Sequence, residues 1–94
     1  MAKATFNGNV IAESDDTVVV EGNHYFRIDD IEPGVLNQND RHSVCHWKGE
    51  ASYFDIVVDG ETTRAEAWTY PDPLPKAEEL RGRVAFWKGV EVVD

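Results

Sequence analysis

Asp59-Gly60 constrains this chain more than any other pair of neighbours, because it divides two strand-favouring runs, Tyr53–Val58 and Thr62–Tyr70. An Asp-Gly pair accepts the positive backbone angles of a two-residue hairpin turn, whose twist suits antiparallel strands. Asn7-Gly8 stands in the same way between Ala4–Phe6 and Val10–Ala12, and Glu21-Gly22-Asn23 separates Thr17–Val20 from His24–Ile28. Pro71, Pro73 and Pro75 then end any strand, since proline has no N–H for the ladder. This punctuation predicts a mainly β, antiparallel chain.

The remaining segments fit that frame. Asp29–Asn39 contains Pro33-Gly34 and reads as a loop with room for one helical turn. One short helix is expected at about residues 75–81, where Pro75 suits a first helical position and Gly82 suits the C-terminal side. Val84–Trp87 and Val90–Val93 close the chain as β. A length of 94 residues is right for one domain with one modest core, residues 1–94.

Charge and cysteine usage narrow the partners. Eighteen acidic residues against nine basic ones give a formal net charge of -9, which repels a polyanion such as nucleic acid at long range unless the few cations gather on one face. The N-terminal residues lead into no apolar stretch, so neither a signal peptide nor a membrane span is expected. Cys45 stands alone, which excludes an internal disulfide and fits a reducing cytoplasm.

The tripeptide Trp-Lys-Gly occurs twice, at Trp47–Gly49 and Trp87–Gly89. Each copy brings an indole, an ammonium and a permissive backbone together, which are the materials of a small pocket with a cationic edge. Strand alternation adds a puzzle. Cys45, Trp47, Ala51 and Tyr53 share one parity, whereas Phe54, Ile56 and Val58 share the other. A change of buried face is expected, with a bulge or plain hairpin turn at Lys48-Gly49 supplying it.

Candidate chemistry follows from residue type and spacing. Cys45 is the one nucleophile candidate for thiol redox or acyl transfer. Free cysteines mostly pack as small hydrophobes, however, and alternation points His46 and Lys48 away from it. His42 and His46 on a regular strand would lie about 13 Å apart, too far to share an ion, so neither a metal site nor a cofactor is expected. Asp15-Asp16, Asp29-Asp30 and Glu78-Glu79 are adjacent pairs that do not converge and read as solvated surface. At least one of Trp47, Trp68 and Trp87 is expected in the core; the sharper alternative is an aromatic-lined pocket.

Four stretches carry a family resemblance: Val18–Phe26, Val44–Tyr53 with its Cys-x-Trp-Lys-Gly-x-Ala-x-Tyr pattern, Ala67–Pro73 and Gly82–Val90. Over nearly its whole length the chain resembles the bacterial domain-of-unknown-function family DUF427, a family also labelled nucleotidyltransferase-like. The resemblance implies a β-tent or half-barrel topology, similar to folds whose relatives hold zinc on four cysteines. With one cysteine, this chain does not inherit that metal. It also lacks the Gly-Ser element with a following Asp-x-Asp that nucleotidyl transfer would need. His46 and Arg27 stand where the family usually has proline.

Three functional readings stay open. The first is a cytoplasmic module binding a small flat or anionic molecule through Trp47, Lys48, Tyr53, Tyr70, Trp87, Lys88 and His24. The second is an enzyme acting through Cys45. The third is a protein-interaction module with an aromatic-rich surface.

Overall fold

The computed structural model describes every residue, Met1–Asp94. Nine strands occur in chain order: β1 (Ala2–Phe6), β2 (Asn9–Ser14), β3 (Thr17–Val20), β4 (Asn23–Arg27), β5 (Leu36–Cys45), β6 (Gly49–Val58), β7 (Glu61–Thr69), β8 (Arg83–Phe86) and β9 (Glu91–Val93). They form two open antiparallel sheets, one of three strands ordered β2-β1-β9 and one of six ordered β3-β4-β8-β7-β6-β5. No helix is long and apolar enough to cross a membrane.

The expected turns set this topology. Asn7 and Gly8, Glu21 and Gly22, and Asp59 and Gly60 all have positive φ, the signature of the tight turn that matches strand twist. The registers Phe6↔Asn9, Val20↔Asn23 and Val58↔Glu61 place two residues in each loop. Glu21 pays the largest conformational cost of the three first positions, being neither Asn, Asp nor Gly.

Two segments differ from expectation. Residues Leu36–Asn39, read as loop, begin the ten-residue strand β5. Their polar run Asn37-Gln38-Asn39 carries no alternation because β5 is an edge strand: it is held by backbone pairing to β6, with a register shift between Asn39 and His42. The expected helix is present over Pro75–Leu80 as a 3-10 helix broken at Ala77. Six residues are too few to nucleate an α-helix in their own right. Ala77 and Leu80 are the two buried residues of this segment.

The parity puzzle has a different answer from the one expected. β6 does not change its buried face; it buries both. Phe54, Ile56 and Val58 face a core shared with Ala4, Phe6 and Ile11 of the smaller sheet. Ala51 and Tyr53 point the other way, into a second cluster with Tyr25, Tyr70, Ala77 and Leu80. The same split runs through β4, where Tyr25 and Phe26 take opposite sides, and β8, where Ala85 opposes Val84 and Phe86. The irregularity lies elsewhere, where Ala65 of β7 has φ +55 and donates its N–H to Asp55 Oδ1 at 2.9 Å. Lys48-Gly49 is the plain hairpin alternative: Cys45 pairs with Gly49 across a turn of three residues.

The two motif glycines are nevertheless close-approach sites of different stringency. A Cβ on Gly49 would stand 3.3 Å from the Asp72 carbonyl, at a φ of +112, whereas a Cβ on Gly89 would meet only the flexible end of Glu66 at 2.9 Å. Gly49→Ala should therefore cost about 1–3 kcal/mol in urea unfolding, and Gly89→Ala distinctly less. Equal losses would show that backbone strain at Gly49 is not what its position demands.

Candidate functional site

The outer face of the six-stranded sheet carries a lateral row of side chains. Tyr53 of β6 pairs with Trp68 of β7, and Trp68 pairs with Ala85 of β8. The alanine leaves room for larger neighbours to lean over it. Trp68 meets Tyr25 edge-on at 6.2 Å and donates its indole N–H to the Tyr25 hydroxyl at 3.2 Å. Trp87, just beyond β8, meets Trp68 edge-on at 5.7 Å and donates its indole N–H to the Ala65 carbonyl at 2.7 Å. Edge-to-face contacts of this kind add about 0.5–1.5 kcal/mol each beyond area burial.

A cavity of about 260 Å³ opens beside this row, lined by Glu21, Asn23, Lys48, Tyr53, Trp68, Tyr70 and Trp87. Lys48 is 7% exposed, a rare burial for an ammonium. Its partner is Glu21, which accepts a hydrogen bond from Nζ and is itself exposed. The ammonium also lies 5.4 Å from the Trp47 ring and 5.6 Å from the Tyr70 ring, close enough for attraction to the ring quadrupoles.

This ion pair joins two hairpins that are not neighbours in the sheet. Glu21 sits in the β3–β4 turn and Lys48 in the β5–β6 turn, and β8 and β7 lie between those two hairpins. The antiparallel order puts those two turns at opposite ends of the strands, so the pair reaches across the outer face of the sheet. Gly49 holds the Lys48 end in place: the Lys48 carbonyl accepts from Leu74 N–H at 3.0 Å, beneath the Pro71–Pro75 segment.

Electrostatics favour the charged pair. Burial alone would lower the Lys48 pKa; the Glu21 carboxylate and the Tyr25 and Tyr70 oxygens outweigh it and hold the value above the usual 10.5. The hydrogen bond from Lys48 keeps Glu21 below the usual 4.5. Burial raises the Tyr25 and Tyr70 hydroxyls above the usual tyrosine value, so both are protonated donors near neutrality.

The sequence candidates separate on this geometry. Lys48, Tyr53, Tyr70 and Trp87 come together around the cavity. Trp47 touches Lys48 but otherwise lines a separate depression with His46, Leu74, Pro75 and Lys76. Lys88 is exposed and covers the Trp87 ring at 4.6 Å without reaching the cavity. His24 lies outside it, because alternation along β4 sends Asn23 and Tyr25 to the cavity side and His24 to the other, where it bonds Thr17 Oγ1 at 2.9 Å. None of the tryptophans is fully buried; all three pack at the edge of the second cluster.

Cys45 is half-buried against the same cluster. No hydrogen bond joins it to a base: His42 bonds Ser52 at 3.4 Å, and His46 is exposed in the turn. No cluster of three His, Cys, Asp or Glu side chains gathers ligands for a metal.

Sequence reasoning missed Glu21 and Asn23, which it read only as turn residues, and left Trp68 off the site. One signal was available for Trp68: it is two residues from Tyr70, and alternation puts that pair on one face. The Glu21–Lys48 contact spans 27 positions and had no local signal.

The family follows from the whole chain. The profile of a domain of unknown function, DUF427, matches residues 1–94. The chain belongs to the DUF427 family. Among curated proteins, no sequence matches it. Membership in a family of unknown function brings no activity with it.

The signs of the shifts define a pH window. Glu21, lowered in the folded state, contributes stability that is present above about pH 4.5 and lost as pH falls through its lower folded value. Lys48, raised in the folded state, contributes below about pH 10.5 and loses that contribution as pH rises through its folded value. Glu78, lowered by Arg81, adds to the acid limb. Glu21→Gln should flatten part of the acid limb of a melting-temperature profile and leave the remainder to Glu78. An unchanged limb would show that the pair does not contribute to folding.

Proposed function

We propose that the cavity beside Lys48 binds a small flat molecule, and that this chain is a binding module. The observation that carries the reading is an ammonium almost wholly withdrawn from water that still lines an open cavity walled by Tyr53, Trp68, Tyr70 and Trp87. A lysine serving only the fold would cost less as an exposed surface charge. At about 260 Å³, the space lies below the ~300 Å³ at which drug-sized sites begin, so the ligand class is a single ring or a compact fused pair.

The rest of the reading goes with it. The excess of acidic residues argues against nucleic acid and anionic membranes as partners, and the lone thiol suits a reducing cytoplasm. Cys45 stays available as an enzymatic alternative because its side chain packs on the cavity face of the sheet.

Lys48→Met keeps the apolar stem and removes the charge. Its stability cost should stay within about 1 kcal/mol, because exposed Glu21 regains water when its partner goes. The variant should lose every ligand that raises the wild-type melting temperature or shifts its tryptophan emission in a screen of small planar metabolites. A wild type that responds to no compound in such a screen removes the reading, and a loss of several kcal/mol in the variant makes Lys48 structural.

A thiol reagent tests the enzymatic alternative. Half-buried Cys45, without a base, should react more slowly than free cysteine in the native protein and at the free rate in urea. Faster native reaction would move the proposal toward catalysis.

A further inference from the structure

We infer that the cavity selects neutral planar heterocycles that carry an N–H donor beside a C=O acceptor, in preference to carboxylates or phosphates. This rests on the binding-module reading and names the ligand class for the same site.

The argument concerns which polar groups the protein has left free. The indole N–H groups of Trp68 and Trp87 are bonded to Tyr25 and Ala65, and the Tyr53 hydroxyl is bonded to Ser43 at 2.9 Å. The two indoles therefore offer a ligand their apolar faces and no unpaired N–H, and the Tyr70 hydroxyl is one further donor on the cavity wall. Asn23 also lines the cavity and is half-buried, and its side-chain amide makes no intramolecular hydrogen bond. An amide presents one acceptor and two donors, the complement of an adjacent C=O and N–H edge.

The charged pair supports the same choice. Glu21 Oε1 takes one of the three Lys48 protons, which leaves donor capacity on Nζ and an acceptor at Oε2. Net charge at the site is close to zero. An incoming carboxylate would have to displace Glu21 or share Lys48 with it, and two like charges at one ammonium repel. A neutral edge meets no such penalty: it accepts from Lys48 or Asn23 while its N–H donates to Glu21 or Asn23. Ring stacking and a paired edge are then satisfied together, in a space too small for a ribose and phosphates.

Matched probes of one size test this: pyridone, N-methylpyridone and benzoate, each titrated while heteronuclear NMR follows the Trp68 and Trp87 indole N–H signals. Pyridone should move both signals saturably, and benzoate should move neither. Methylating the nitrogen should weaken binding by at least about tenfold, as expected for losing a hydrogen bond to a charged or buried partner. Asn23→Ala and Glu21→Gln should each weaken pyridone; Glu21 is exposed, so the second variant keeps the test informative if the first unfolds.

Benzoate binding as tightly as pyridone, and more tightly still to Glu21→Gln, would overturn this inference and leave the cavity a binding site for anions. Silence from all three probes would also overturn it. In that case a positive metabolite screen would keep the binding-module reading alive, and a negative one would end both.

Discussion

A sheet of six strands has two faces to cover, and this chain owns only one other sheet to cover them with. The three-stranded sheet seals the inner face, where Phe26 and Phe86 meet at 5.6 Å among aliphatic side chains. The outer face gets no second layer of regular structure. It is covered by its own aromatic side chains and by the short segment that contributes Ala77 and Leu80. Rings that lean over a sheet cannot tile it as closely as a packed layer, and the gap they leave is the cavity. The cavity is a by-product of unequal coverage, placed where small Ala85 and Ala51 alternate with large Trp68 and Tyr53.

Lys48 exists in this setting at a cost. Withdrawing an ammonium from water is unfavourable by several kcal/mol unless a counter-charge and further contacts offset it. Here the offsets are one carboxylate and two aromatic rings. Because Glu21 itself stays wet, the pair has one anchored end and one end open to exchange. That asymmetry separates it from a buried structural salt bridge, in which both ends are locked. It also ties the two outer hairpins together without closing the sheet into a barrel.

Local chemistry made much of the fold legible. Asn7-Gly8, Glu21-Gly22 and Asp59-Gly60 were readable as turns because a tight hairpin demands positive φ at neighbouring positions, a demand answered within two residues. β5 was not readable from Leu36 to Asn39. An edge strand held by backbone bonds needs no apolar alternation, so its polar residues resemble a loop. The two apolar parities of β6 are legible in the sequence, but a strand buried on both sides has the same pattern as one that swaps sides at a bend, and only the packing distinguishes them. Of the site, the residues in the doubled motif and the Tyr53–Tyr70 pair could be found by type and spacing. His24 could not be excluded without knowing which face of β4 turns toward the second cluster.

What the sequence alone determined is therefore whatever depends on neighbours along the chain: antiparallel strands, their turns, the break after Tyr70, and a motif rich in indole and ammonium groups. Only the tertiary structure decided that Glu21, 27 positions from Lys48, would be its counter-ion, that Asn23 would face the cavity with its amide unpaired, and that Lys88 would stay outside. The reason is geometric. Turn chemistry acts over two or three residues, whereas the twist of a six-stranded sheet is summed over every strand pair, and no short stretch of sequence encodes that sum.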